Sequence, residues 1–238
     1  MQWFRPKERA FANGTFVVSV TVGTTISSFL TAPLSEAIGW AETLSIFGGV
    51  ATLSAVAWLI FGRVQQTARR ARSESILART WRCVHSRSTL LIAGADAGPL
   101  ALLTVVLAWL PTFYNEVHGI SLIRSGFIMG LYSFAGLVSM VIATFMTMRA
   151  PRRKPFLVIP GILLGFSAFG SFLLADSVAV YVAVAILGVA NWAYLPTLLT
   201  IPMDLYPDDS DLVSLIFGTL LTTGAIFGAV APLLVGFI

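Results

Sequence analysis

Charged residues are scarce in this chain of 238 residues: only 11% are Asp, Glu, Lys or Arg, whereas 57% are hydrophobic. A soluble globular protein carries about a quarter charged residues and uses them to cover its surface. The mean hydropathy of the chain is +0.87. The composition therefore excludes an ordinary soluble domain and predicts an integral membrane protein with the lipid bilayer as its main surrounding.

Cysteine and histidine are also nearly absent. Cys83 is the single cysteine, which excludes an intrachain disulfide and a cysteine-based zinc site. His85 and His118 lie far apart, and no residue near either of them has metal-ligand spacing. We therefore expect no metal and no other cofactor. The net charge of +4 would in a soluble chain suggest nucleic-acid binding, but the basic residues are concentrated in loops, and we expect no nucleic-acid partner.

Long apolar segments are what the chain has instead. A hydrocarbon core of about 30 Å needs roughly 20 apolar residues per helix. Seven segments meet this requirement: Ala12–Ser35, Thr43–Phe61, Ser88–Tyr114, Gly126–Met148, Phe156–Ala175, Val178–Met203 and Leu212–Phe237. The predicted fold class is an all-α membrane protein, a multi-span bundle with seven transmembrane helices.

The loops between these segments indicate the orientation. If the spans alternate in direction, all but one of the 15 Lys and Arg residues fall on one side of the membrane, and Arg124 is the exception. The positive-inside rule assigns that side to the cytoplasm, so we expect a cytoplasmic N-terminus in a cell membrane. A signal peptide is the competing interpretation of the N-terminus, but its apolar run is too long and lacks a small-residue cleavage site.

The spans also differ in their polar content. The third and sixth spans hold the larger polar groups, namely Asp96 and the run NWAYLP at Asn191–Pro196. The first span is rich in Ser and Thr, which predicts a helix enclosed by protein or lining a wet cavity. Small-residue pairs of the form G-x-x-x-G predict close helix approach; they occur at Gly94/Gly98, Gly126/Gly130, Gly161/Gly165 and Gly224/Gly228.

Several of these stretches resemble the Major Facilitator Superfamily, and the resemblance covers the whole chain. The opening WFRPKERAFANGTF resembles the start of the family's fifth helix. TAPLSEAIGW resembles the Gly-Pro motif of that helix, although Ala32 stands in place of the glycine. LAWLPTFYNEVHGIS is similar to the end of the seventh helix, and GAIFGAVAPLLVGFI to the eleventh. RAPRRK resembles the D-R-x-G-R-R/K loop motif, although Met148 and Pro151 replace its aspartate and glycine. The outer-loop and final-helix patterns most resemble the cyanate and nitroimidazole permease group.

The resemblance implies that the seven spans correspond to helices five to eleven of a twelve-helix fold. Residues 1–61 would then hold the last two helices of the N-terminal bundle, residues 62–87 a basic cytoplasmic loop between the halves, and residues 88–238 a C-terminal bundle without its last helix. On this basis we expect the chain to be a fragment, or a gene product begun at an internal methionine.

Candidate site residues follow from the helices that line the family's central cavity. The third and sixth spans correspond to two of these helices, which makes Asp96, Asn191, Trp192 and Tyr194 candidates for substrate binding or coupling, with Tyr132 beside them. Arg149, Arg152, Arg153 and Lys154 form the cytoplasmic loop motif. We also expect Asp208, Asp209 and Asp211 to meet arginines of a first-half loop; a solvated polar loop is the alternative for this acidic cluster.

Asp96 is the only ionisable side chain in the interior of any predicted span, roughly 12 Å deep when counted from Ser88. A charge at that depth costs about 2.5–3.5 kcal/mol, so we expect Asp96 to face the bundle interior or water, or to be protonated. This position suits a group that binds a co-transported proton. A carboxyl that only hydrogen-bonds to a neighbouring helix is the alternative.

The sequence thus predicts a secondary transporter for a small solute, with an organic or inorganic anion among the options. An anion would have to meet its arginines elsewhere, because no predicted span interior holds Arg or Lys. A seven-helix receptor or a structural membrane protein is the alternative, although a receptor would place its N-terminus outside. A retinal pump needs a lysine within a span, and a membrane enzyme needs clustered ionisable groups; neither is present in the sequence.

Overall fold

The computed structural model describes residues 6–62, 76–149, 152–175, 177–207 and 209–237, and this part of the chain is helical without a strand. Its elements are α1 (Pro6–Ile38), α2 (Trp40–Phe61), α3 (Ile76–Val84), α4 (Arg87–Glu116), α5 (Leu122–Arg149), α6 (Pro155–Leu173), α7 (Ala179–Ala193), α8 (Leu195–Leu205) and α9 (Ser210–Gly236). The start of the family-like opening (Trp3 to Arg5) and Asp176 and Asp208 lie outside the described residues.

Seven stretches of helix are long and apolar enough to cross a membrane, and they confirm the predicted spans. They are Val17–Ile38, Trp40–Phe61, Arg87–Glu116, Leu122–Thr147, Pro155–Leu173, Ala179–Leu205 and Ser210–Gly236. The all-α multi-span fold class is therefore confirmed. The sixth span differs from a simple rod, because α7 and α8 form it together with Tyr194 between them.

The predicted inter-half loop contains a helix that the sequence analysis missed. Residues 63–75 of this loop lie outside the described residues, but α3 follows them directly. Cys83 on α3 is buried in a cluster with Ile92 of α4 and Ile216 of α9, while Trp81 and Arg82 are exposed. One apolar face packed on the bundle thus gives this short basic segment a reason to be helical. Ser86 then caps α4 by accepting a hydrogen bond from the Thr89 backbone N–H at 3.2 Å.

The first two spans meet at a single residue. Gly39 separates α1 from α2 and has φ of +94°, a backbone conformation that glycine adopts more readily than other residues. Most hydroxyl groups of α1 donate to carbonyls of their own helix, as Thr24 does to Val20 and Thr31 to Ser27. The Ser and Thr content of α1 therefore needs no wet cavity. Of these residues Thr15, Ser19 and Thr31 are exposed, whereas Thr21 and Thr25 are buried.

The remaining spans pack in pairs: α4 with α9, α5 with α7, α1 with α5, and α6 with α7. Two of the predicted G-x-x-x-G pairs lie at such contacts. Gly126 and Gly130 face α1, and Gly224 and Gly228 face α4. The prediction of close approach is wrong for the other two pairs, Gly94/Gly98 and Gly161/Gly165, because a Cβ built at any of these four positions meets nothing within 4 Å.

Gly188 gives the sharpest test of this packing. A Cβ at this position of α7 would collide with the backbone carbonyl of Tyr132 on α5, which cannot move aside as a side chain could. We predict that Gly188→Ala lowers the free energy of unfolding by about 1–3 kcal/mol, the usual cost of forced overpacking. Unfolding in detergent micelles, followed by circular dichroism, measures this.

Gly161→Ala is the matched control, since it adds the same methyl group to a spanning helix where nothing lies within 4 Å. The control should leave stability unchanged or raise it slightly, because alanine is the better helix former. Equal stability of the two variants would contradict the close α5–α7 contact.

Candidate substrate and coupling site

The sixth span is interrupted near its middle. α7 ends at Ala193 and α8 begins at Leu195, and Pro196 occupies the first turn of α8. Proline has no N–H to donate to the carbonyl four residues earlier, so it weakens the helix here. Irregular backbone at membrane depth is tolerated only where protein or a cavity surrounds it. Tyr194, Pro196 and Thr197 are indeed buried.

Tyr194, the residue at this interruption, binds Asp96. Its hydroxyl donates to Asp96 Oδ1 over 2.7 Å, and the two residues are only 7% and 4% exposed. Asp96 lies on α4, about 14 Å along the helix from Arg87. The structure thus brings together two of the predicted site residues, and it joins α4 directly to the break between α7 and α8.

The second carboxyl oxygen of Asp96 faces α9. A Cβ built on Gly224 would lie 3.0 Å from Asp96 Oδ2, so glycine at this position leaves the space that the carboxyl group needs. Tyr194 also packs in an apolar cluster with Ile216 and Leu220 of α9. Three elements therefore converge on one carboxyl group: α4, the α7–α8 break and α9.

Tyr132, Asn191 and Trp192 occupy the neighbouring interface between α5 and α7. The carbonyl of Tyr132 lies against Gly188, and the indole of Trp192 lies against Gly136. Trp192 also packs with Val17 of α1 in one buried cluster. These contacts place Trp192 where the first span meets the second half of the chain.

Polar atoms of all three residues are buried without a partner. In the part of the chain that the structure describes, four buried side-chain polar atoms lack a hydrogen-bond partner, and three are Tyr132 Oη, Asn191 Oδ1 and Trp192 Nε1. Buried polar atoms are nearly always hydrogen-bonded in proteins, so each exception calls for an explanation.

A crevice of about 380 Å³ adjoins the site between α4 and α6. Its walls include Gly98 of α4 and Gly161 and Gly165 of α6, and Ala190 and Tyr194 form its floor. Further along these helices, α4 and α6 are in direct contact, because the Tyr114 hydroxyl donates to the Ser171 carbonyl at 2.8 Å. Tyr194 therefore lies between the crevice and the carboxyl group of Asp96.

The predicted loop motif lies at a distance from this site. Arg153 donates to the Thr147 carbonyl and to Asp204 Oδ2, each at 3.0 Å, and so joins the end of α5 to the end of α8. Asp204 is about 15 Å along the helix from Tyr194. Arg149, Arg152 and Lys154 are exposed at the same end of the bundle.

The acidic cluster beside this motif has a local role. Asp209 Oδ1 accepts a hydrogen bond from the Leu212 backbone N–H at 3.0 Å and caps α9. Asp211 lies in the first turn of the same helix, where a negative charge is favourable. Pairing of these residues with first-half arginines stays a prediction.

The sequence analysis missed the glycine residues that make room for the side chains of the site. Gly136 and Gly188 admit Trp192 and Tyr132, but no sequence signal distinguished them from the other glycines. Gly224 carried a signal, because it belongs to the Gly224/Gly228 pair, yet its relation to Asp96 was not predicted. Asp204, the partner of Arg153, was also overlooked.

Comparison with known proteins places this chain in a family. The profile described as the Major Facilitator Superfamily matches residues 1–232. Among curated proteins, the uncharacterized protein Cj0987c of Campylobacter jejuni subsp. jejuni serotype O:2 is 26% identical over 121 residues. This alignment covers 50% of the chain and 37% of that protein. Neither match distinguishes among permease groups, so the resemblance to the cyanate and nitroimidazole group stays a prediction.

Members of this family are transporters rather than enzymes. They lie in the lipid bilayer and bind small-molecule substrates. The family profile covers nearly the whole chain, and the seven spanning helices agree with it. The chain belongs to the Major Facilitator Superfamily and is a multi-pass membrane protein.

Proposed function

We propose that the chain serves secondary active transport of a small solute by alternating access, with Asp96 as the group that binds a co-transported proton. The observation that carries this proposal is the hydrogen bond from Tyr194, at the break of the sixth span, to the buried Asp96 carboxyl group of α4. Interrupted helices at membrane depth are where transporters of several folds bind substrates and coupling ions.

The bond offers a physical link between proton binding and helix movement. A hydrogen bond to a carboxylate is roughly twice as strong as one between neutral groups. Protonation of Asp96 would therefore weaken the attachment of α4 to the break between α7 and α8. Since Tyr194 connects α7 to α8, a change in this attachment can alter the angle between them.

The unpartnered atoms of Tyr132, Asn191 and Trp192 are the proposed contacts for the solute. They offer an amide oxygen, a phenol and an indole N–H, with two aromatic faces. An anion would receive no positive charge from the described helices, because Arg and Lys are absent from their interiors. These three residues therefore suit a solute with hydrogen-bond donors or a positive charge. Aromatic faces also attract a positive charge.

The location we propose is the cell membrane, with the N-terminus in the cytoplasm. Support comes from the distribution of charge, since all but one of the 15 Lys and Arg residues belong to the segments that would then face the cytoplasm.

Asp96→Asn tests the coupling role. The amide keeps the size of the side chain and can still accept the Tyr194 hydrogen bond, but it cannot bind and release a proton. We predict that the variant loses accumulation of solute driven by a pH gradient. The measurement uses the protein that the host expresses from this gene, reconstituted in liposomes. Exchange of labelled solute across the liposome membrane should survive.

Asp204→Asn is the control, because this carboxylate pairs with Arg153 at the exposed end of α8; it should keep gradient-driven accumulation. If Asp96→Asn accumulates solute like the parent from mildly acidic to mildly alkaline pH, Asp96 is not the coupling group. Absence of any solute movement by the parent would instead refute the transport proposal itself.

Tyr194→Phe tests the bond itself. The change leaves Asp96 Oδ1 buried without its donor, and we predict a loss of about 1–3 kcal/mol in the free energy of unfolding. In an Asp96→Leu background the same change should cost almost nothing, since the acceptor is already gone. Chemical unfolding of the four proteins in detergent gives the coupling energy.

Tyr181→Phe is the matched comparison. The Tyr181 hydroxyl accepts a hydrogen bond from Arg124 at an exposed end of the bundle, so its loss should cost no more than about 0.5 kcal/mol. Additive effects of Tyr194→Phe and Asp96→Leu would show that the hydrogen bond contributes nothing to stability.

A further inference from the structure

A second groove lies on the outer surface of the bundle, at the end that carries the basic loop motif. It has a volume of about 450 Å³ and is lined by Ile142, Phe145, Met146 and Arg149 of α5 and by Phe156 of α6. It is separate from the Asp96 site, because none of its lining residues belongs to α4, α7 or α9.

The lining residues of α5 form one uncovered stripe. Positions 142, 145, 146 and 149 follow the spacing of three and four residues that places side chains on one face of a helix. Ile142, Phe145 and Met146 are each exposed over about half of their surface, at 51%, 53% and 52%. The stripe runs about 10 Å down the helix from Arg149. An uncovered apolar face at this depth in a spanning helix contacts lipid chains.

Positive charge without a protein partner lies at the head of this stripe. Arg149 is the last residue of α5, and Lys154 directly precedes α6. Arg153 is held by Thr147 and Asp204. Within the described ranges, no side-chain hydrogen bond or ion pair ties Arg149, Arg152 or Lys154 to the protein.

We propose that this groove is a binding site for an anionic phospholipid, with one acyl chain along Ile142, Phe145 and Met146 and the phosphate group on the guanidinium of Arg149. Basic pockets between spanning helices bind anionic lipid headgroups, and arginine matches the geometry of a phosphate. A second copy of the chain is a poorer occupant, because pairing at this face would bring two sets of unneutralised positive charges together.

Native mass spectrometry of the purified 238-residue protein tests the site. The protein is mixed with equal amounts of phosphatidylglycerol and phosphatidylcholine of identical acyl chains, and the bound lipid is counted. We expect preferential retention of phosphatidylglycerol. Arg149→Gln should lower that preference about fivefold, the effect of one basic residue near an anionic lipid, whereas Arg149→Lys should keep part of it.

Arg124→Gln is the control, since it removes an exposed arginine from the outer end of α5 and should leave the preference unchanged. Glycerol phosphate, which carries the headgroup without acyl chains, should fail to displace the lipid; displacement would show a free phosphate site instead. Equal retention of the two lipids by the parent, or an unchanged preference in a monodisperse Arg149→Gln protein, would overturn the proposal and leave Arg149 as a topology signal only.

Discussion

The arrangement of the second half of the chain depends on how one carboxyl group is accommodated in an apolar bundle. Asp96 lies deep in α4, where a charge without partners is costly. Its two oxygens face two different elements, Tyr194 at the break of the sixth span and Gly224 on α9. Because the carboxyl group needs both the donor and the space, it fixes the registry of three spans relative to one another.

Glycine makes these approaches possible, but only where a partner helix is present. Gly136 and Gly188 let Trp192 and Tyr132 enter the α5–α7 interface, and Gly224 makes room for Asp96. Gly161 and Gly165 have the same spacing as Gly224 and Gly228, yet they line an open crevice. In a membrane, where apolar surfaces gain little by leaving lipid, packing distance rather than hydrophobicity decides which helices associate.

This dependence on partners explains what the sequence could predict. The seven spans followed from hydropathy, since a helix is the only way for a lone apolar segment to satisfy its backbone in lipid. Asp96 was predicted because a carboxyl group in a span is unusual whatever surrounds it. The roles of Gly188 and Gly224, the pairing of Arg153 with Asp204 and the packing of α3 through Cys83 depend on residues far away in the chain. No local pattern contains that information.

At each of two depths in the bundle, one polar group of the chain is paired within the protein and a neighbouring polar group is not. Near the middle of the spans, Asp96 has a protein donor, while the neighbouring atoms of Tyr132 and Asn191 have none. At the basic end, Arg153 is paired with Asp204, while Arg149 is exposed beside apolar side chains. In each case one paired group joins two elements, and we propose that an unpaired group beside it binds a molecule from outside, a solute at the first depth and a lipid at the second. In the proposed transport cycle the Arg153–Asp204 pair need not change, whereas the Tyr194–Asp96 bond weakens when Asp96 binds a proton.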